Sequence, residues 1–308
     1  ASQTAAGIFS TGESVFALLN SNGVFGYHAE TMAQFSITAL AHDSSGWAKK
    51  TSCDSRDLDP RAMALTASRK AGASRAPAEI APGRYTVILE PAAVLDLAGQ
   101  MFGDFSATAL RDERSFLTGR MGHQMFGDNI SIYDDVAHPL QSGAPFDGEG
   151  VPRRKVALVE NGIIQNVVYS RQAAAQSDVE PTGHGFPVPN DLGEAPMNIV
   201  FAGGDSSIDE MIASTGRGIL VTRLWYIREV DPYQKIMTGM TRDGTFLIEN
   251  GQLTRGLKNF RFNQNLMELL SNVEALSPVA RASGEEAFDM VVPAMKVRDF
   301  NFTEATRF

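Results

Sequence analysis

The side chains able to do chemistry in this chain are few and scattered. Its five histidines, His28, His42, His123, His138 and His184, stand so far apart that none lies within five residues of another. No helix face therefore carries the paired imidazoles of an HExxH or HxxxH zinc site. There is no Walker-type phosphate loop, no G-x-G-x-x-G after a strand and no G-x-S-x-G elbow. The lone cysteine, Cys53, sits in a polar run with no histidine or basic residue adjacent to depress its pKa. It has no intrachain disulfide partner and suits a reducing compartment. Neighbouring carboxylates, Asp134-Asp135 and Glu285-Glu286, read as charged turns, because acid/base work needs facing geometry that adjacency does not give.

Two loops remain as candidate rims. The segment from Pro145 to Pro152 holds Asp147, Glu149 and Gly150, and the segment from Pro181 to Pro189 holds Thr182, Gly183 and His184. A Gly/Pro-rich connection ahead of a strand reads equally well as a plain loop. A loop histidine with no partner in sequence is more often solvated than catalytic. The catalytic reading is a divergent hydrolase that uses His184 with Asp147 or Glu149.

The elements that would position these residues are mostly strands. Asn22-Gly23, Asn161-Gly162 and Asn250-Gly251 each supply the two positive-φ residues of a type I′ hairpin turn. The second and third turns sit in similar surroundings, as equivalent corners of one sheet system or by convergence on a common turn. Further strands are expected at 83–90, 198–202 and 218–230. Helical patterns fall at 60–71 after Asp59, 92–108 after Pro91, 207–213 and 265–276. Strands outnumber helices and rarely alternate with them, which predicts an α+β fold of mostly antiparallel sheets or a barrel-like β core with a few packed helices.

Composition narrows the function classes. The 308 residues are 43% hydrophobic and 20% charged with a net charge of −9, an ordinary globular balance with ample chain for a large core. Acidity disfavours direct nucleic-acid contact, which rests on clustered Lys and Arg. No window approaches the apolar length of a membrane span, and the start has no signal-peptide pattern. The chain reads as cytoplasmic.

Six patches, taken in order, resemble the TldD/PmbA family. They are the runs beginning Arg114-Ser-Phe-Leu-Thr-Gly-Arg, Pro145-Phe-Asp-Gly-Glu-Gly, Val159-Glu-Asn-Gly-Ile-Ile, Pro181-Thr-Gly-His-Gly, Thr238-Gly-Met-Thr-Arg-Asp-Gly and Val291-Val-Pro-Ala-Met-Lys-Val. The resemblance implies a two-subunit intracellular peptidase in which TldD carries zinc and TldE, or PmbA, does not. It further implies that residues 1–308 form the single large C-terminal domain of such a protein, the smaller N-terminal α/β domain being absent, in keeping with the start at Ala1 on a strand pattern.

In the zinc-bearing subunit the helix after the first core strand reads HExxxH, with a Cys ligand near the C-terminus. Matched to that helix, Gly99 and Asp104 take the two His positions and Gln100 the Glu position, while 280–289 holds no Cys. Glycine has no donor atom, Gln is too weak a base to activate water, and a single carboxylate does not hold Zn²⁺, which takes about four ligands. The expectation is a chain with no metal and no cofactor of its own, with zinc in a TldD-type partner. Its partners would be that homologous subunit or a second copy, and an extended or unfolded peptide held by strand addition near the two loops. The rivals are the divergent hydrolase and a stand-alone homodimeric peptide-binding scaffold. The family's second label, modulator of DNA gyrase, gains no physical support from an acidic chain.

Overall fold

The computed structural model describes residues 2–306. Three sheets organise it, antiparallel except for two strand pairs. The first is a meander of Thr4–Leu19, Phe25–Leu40 and Ser45–Ser52. The helix Pro60–Ala73, started by Asp59, whose carboxylate accepts from Ala62 N at 2.9 Å, packs Ala67 and Ala71 onto Ala39. It covers only the far end of the long hairpin.

The second sheet closes on itself. Strand Ile236–Glu249 pairs on one side with Gln252–Gly256 and Phe260–Asn265, and on the other with Arg217–Asp231. From Phe260–Asn265 the pairing continues through Met295–Ala305 and Gly83–Leu89 back to Arg217–Asp231. The result is a barrel-like ring, and Phe260, Phe262, Phe300 and Phe302 are fully buried in it. Their rings meet at 4.9–5.4 Å in tilted or edge-on pairs, a geometry that adds to the area they bury. The third sheet runs Ala280–Ala282, Met290–Val292, Ile199–Phe201, Ile132–Asp134, Val156–Glu160 and Ile163–Ile164. One hydrophobic core joins this sheet to the barrel. The α+β, barrel-like expectation holds. Among the described residues no helix is long and apolar enough to cross a membrane.

Several local expectations need correction. Asn161-Gly162 and Asn250-Gly251 do form turns with both residues at positive φ, but they close hairpins in different sheets. At Asn22-Gly23 only the glycine has positive φ. There the Asn20 side chain accepts from Asn22 N and Val24 N, organising a longer loop. The expected helix 92–108 is broken into Pro91–Ala98, a 3-10 turn Gly99–Asp104 and a new helix Ala107–Arg111 capped by Ser106. The pattern at 265–276 is helical only over Leu266–Ser271. Val273–Leu276 instead pairs as a strand with Met295–Val297.

Candidate functional site

Strand Gly83–Leu89 delivers the chain to Pro91, the first residue of helix Pro91–Ala98, whose residues Ala93 to Ala98 are all buried. Glycines at 99 and 103 weaken helical continuation, and the chain tightens into the 3-10 turn Gly99–Asp104. A Cβ at Gly99 would run into the Cβ of Ala287. Gln100 Nε2 donates to the carbonyls of Asp96 at 3.1 Å and Glu286 at 3.0 Å. Both residues are thus spent on packing against the 284–287 segment, which lies within the stretch expected to offer no Cys.

Asp104 is buried, and its carboxylate approaches the Lys235 ammonium at 2.5 Å while its other oxygen accepts from Phe116 N at 3.2 Å. Lys235, itself buried, also reaches Glu229 at 2.6 Å. Burial pushes the Asp104 carboxyl above the usual carboxylate range, and the Lys235 charge opposes that shift. A fixed cation therefore already stands beside the one carboxylate of the degenerate triplet. Lys235 lies too far along the chain from Asp104 for any spacing rule to pair them, so sequence reasoning missed it.

A second buried carboxylate supports the same wall. Asp96 Oδ1 accepts from Glu285 N and Glu286 N, each at 2.9 Å, while its Oδ2 is buried without a hydrogen-bond partner. Burial raises its pKa to about 6. Glu286 in turn accepts from Tyr226 N at 2.7 Å and Ile227 N at 3.2 Å, tying the segment to the barrel. Nearby Arg223 is held by Asp243 and stacked between Trp47 and Trp225. The sequence hid this system because a lone Asp on an apolar helix gives no motif.

The fit of a zinc ion can be judged from these donors. One residue has no ligand atom, one offers a neutral amide already hydrogen-bonded, and the third is neutralised by an ammonium. Among the described residues no group of three or more His, Cys, Asp or Glu side chains is placed to hold a metal ion. The residues do not fit the metal that the family resemblance implies for this position.

The two candidate loops do come together. Asp147, buried, accepts from Glu149 N and Val151 N at 2.9 Å and from Gly185 N at 2.8 Å, so its carboxylate staples one loop to the other. Gly148 N donates to Gly185 O at 2.9 Å. Glu149 accepts from Arg171 N at 2.7 Å and lies against Gly185. Gly150 and Gly183 sit at positive φ, Gly150 beneath Leu18 and Val24 of the hairpin tip. Thr182 Oγ1 accepts from Tyr169 N at 2.8 Å and contacts His184 Nδ1 at 2.9 Å.

His184 does not face Asp147 or Glu149. Its fully buried ring lies 2.9 Å from Asp134 Oδ1, close enough for an ion pair but not aligned as a hydrogen bond. The other Asp134 oxygen accepts from Met197 N and Asn198 N. The imidazole thus lies between the Thr182 hydroxyl of its own loop and the Asp134 carboxylate of the third sheet.

Between these loops and the hairpin lies a groove of about 410 Å³, with Ser14, Phe16, His28 and Glu30 on one wall and Phe146, Asp147, Gly148, Arg153 and Phe186 on the other. Phe16 and Phe146 stack at 5.3 Å across its floor. The groove offers apolar rings, both signs of charge and loop backbone, a lining suited to a chain with mixed side chains and a free main chain.

Comparison with known proteins gives a consistent result. The family model of the PmbA/TldA metallopeptidase C-terminal domain matches residues 82–304, and that of the PmbA/TldA metallopeptidase central domain matches residues 1–75. A curated protein named Metalloprotease from Methanothermobacter thermautotrophicus is 26% identical over 287 residues, taking in 86% of this chain and 60% of that protein. Metalloprotease PmbA of Escherichia coli O157:H7 is 21% identical over 304 residues, 96% of this chain and 64% of that one. The chain thus spans under two thirds of the length of these relatives. Among solved structures, TldE from Thermococcus kodakarensis superposes with a TM-score of 0.85 at 24% identity, covering 97% of this chain and 68% of that one. A Thermotoga maritima protein described as a modulator of a DNA gyrase gives 0.87 at 23% identity, covering 96% and 68%. At such identities the structural likeness speaks to fold alone.

Proposed function

The chain belongs to the TldD/PmbA family, and from that premise we propose that it is a non-catalytic, TldE/PmbA-like subunit of an intracellular zinc metallopeptidase complex. The observation that carries this reading is the Asp104–Lys235 pair at 2.5 Å. Where the resemblance calls for a metal ligand, the chain presents a carboxylate already bound to an ammonium, beside a glycine and an amide. Without two further ligands and a general base, neither the ion nor the water it would activate is held.

In this reading zinc resides in a TldD-type partner, and this chain contributes peptide binding. The groove between the hairpin and the paired loops receives an extended segment, with Phe16, Phe146 and Phe186 against its side chains and the charges of Glu30 and Arg153 at its margins. Asp147 and Glu149 act through the loops they hold. The stand-alone hydrolase draws no support from a His184 that is buried against Asp134.

The test is reconstitution. The purified chain is expected to cleave no unfolded peptide alone, and cleavage is expected to appear on adding a zinc-bearing homologue and to vanish with chelator. Chelator-insensitive cleavage by the isolated chain would sink the proposal.

A further inference from the structure

Most lysine–carboxylate pairs of this chain stay within reach of water. Asp104 with Lys235 is different. Among the described pairs of this kind it is the most deeply buried, with 9% of the Asp104 side chain exposed and 6% of the Lys235 side chain. Keeping two charges out of water is costly even when they attract each other. A reaction that cancels both charges relieves that cost.

The atoms around the pair are arranged for such a reaction. Lys235 ends the turn between strands Arg217–Asp231 and Ile236–Glu249. It stands at φ +51, a left-handed conformation that glycine or asparagine takes more readily. Asp231 Oδ1 fixes the turn by accepting from Tyr233 N at 3.0 Å and Gln234 N at 2.9 Å, and Leu266 N donates to Lys235 O at 3.0 Å. From this anchored backbone Lys235 Nζ reaches Asp104 Oδ2 at 2.5 Å and Glu229 Oε1 at 2.6 Å. The other Asp104 oxygen, Oδ1, accepts from Phe116 N at 3.2 Å. One amine, one carboxyl carbon, a second carboxylate able to carry protons and an N–H donor on the oxygen where negative charge would develop thus meet at one point.

We propose that Lys235 and Asp104 become joined by an intramolecular amide bond between Lys235 Nζ and Asp104 Cγ, with Glu229 carrying the protons. Glu229 takes a proton from the ammonium and passes it to Asp104 Oδ2, leaving a free amine beside a neutral carboxyl. The amine attacks Cγ, and the Phe116 N–H faces the charge that develops on Oδ1. A second amine proton travels through Glu229 to Oδ2, the Cγ–Oδ2 bond breaks and Oδ2 departs as water. Ammonium and carboxylate are thereby converted to one amide and one water, and Glu229 ends as it began. Burial pushes the Asp104 carboxyl above the usual carboxylate range, which favours the neutral form that an amine can attack. Holding amine and carboxyl in contact replaces the bimolecular encounter that makes condensation slow in water. Glu229, 38% exposed, stands at the rim, where the released water can leave. The bond closes the chain from 104 to 235 into a covalent ring and ties the Gly99–Asp104 turn to the barrel, restricting the unfolded chain as a disulfide does.

Mass spectrometry of the whole chain, purified and then held at pH 7, tests this. The wild type is expected to be lighter than its sequence by one water, about 18 Da. Tryptic digestion locates the bond: the peptides 85–111 and 229–242 are expected as one linked species, since trypsin does not cut after an acylated lysine. Lys235→Arg keeps a cation but has no amine to acylate, and is expected at its full mass. Glu229→Gln keeps the shape but carries no proton, and is expected to remain unlinked while folding normally by circular dichroism. A wild type at full mass overturns the proposal, and so does a lost water with the two peptides recovered separately, which places the dehydration elsewhere. Equal linkage in Glu229→Gln overturns the role given to Glu229. The wild type alone decides whether the bond forms, so the result does not hang on a variant that folds. Neither zinc nor peptide cleavage is read, and the outcome is separate from that of the subunit proposal.

Discussion

The Gly99–Asp104 turn and the groove under the hairpin tip are built from similar materials, short turns, glycines and buried carboxylates, yet one is closed and the other open. In the turn each polar group faces inward and is consumed: Gln100 by two carbonyls, Asp104 by Lys235, and the space beside Gly99 by Ala287. In the groove the carboxylates of Asp147, buried, and Glu149, half-buried, hold backbone amides behind the surface, and the surface itself stays free. The difference teaches how similar local parts can be used either to seal a turn or to frame an open surface. In the turn a lysine faces the carboxylate and Ala287 closes the space beside Gly99, while the open surface lies elsewhere, under the hairpin tip.

The contrast breaks most visibly at Lys235. Lys235→Met strands the Asp104 and Glu229 carboxylates, and loss of one partner of a buried pair costs about 3–5 kcal/mol, to be read from chemical unfolding at pH 7. An effect indistinguishable from a surface substitution would mean that the turn is not held closed by this charge.

Asp96 gives a pH-dependent version of the same question. Its folded pKa of about 6 lies above the ordinary 3.8, so the stabilisation from its protonated form is complete below about 3.8 and is lost as pH rises through about 6. Holding the ionised form in this site at neutral pH costs about 3 kcal/mol. Asp96→Asn keeps an acceptor for Glu285 N and Glu286 N but cannot ionise. Relative to its value at pH 4, the stability of the variant is expected to gain on the wild type by up to that amount as pH rises to 7. A gap that stays constant with pH would refute the assignment.

Gly99→Ala sharpens the packing side. Its methyl group collides with Ala287, an overpacking that typically costs ~1–3 kcal/mol. Pairing it with Ala287→Gly is expected to recover much of the loss. The smallest effect belongs to the open region: Phe146→Leu removes the stack on Phe16, worth about 1 kcal/mol in stability, and is expected to weaken peptide binding more than it lowers the melting temperature.

Much of this was legible in the chain, and the parts that were not share a cause. Asn161-Gly162 and Asn250-Gly251 announced their turns because the positive-φ requirement is local. Asn22-Gly23 misled because a side chain two positions earlier, Asn20, took over the turn. The helix expected at 92–108 broke where Ser106 could cap a new one, with Glu194 also accepting from Thr108 N at 2.8 Å. Helical spacing at 265–276 ended at Ser271, since Val273 gains more by pairing with Val297. The two loops were each legible as a candidate rim from their glycines, prolines and polar side chains, but nothing in the sequence joined one to the other. The contacts of Asp147 with Gly185, Asp134 with His184 and Lys235 with Asp104 were invisible because each joins residues distant in sequence through a pairing that only the fold creates.

The central claim is that this chain has no set of side chains able to grip a catalytic ion. Its most direct test is the metal content of protein expressed and purified with zinc supplied, then dialysed without chelator. The account predicts no stoichiometric zinc, for the wild type and for Asp104→Asn alike. One retained equivalent of zinc that is lost in Asp104→Asn would contradict it.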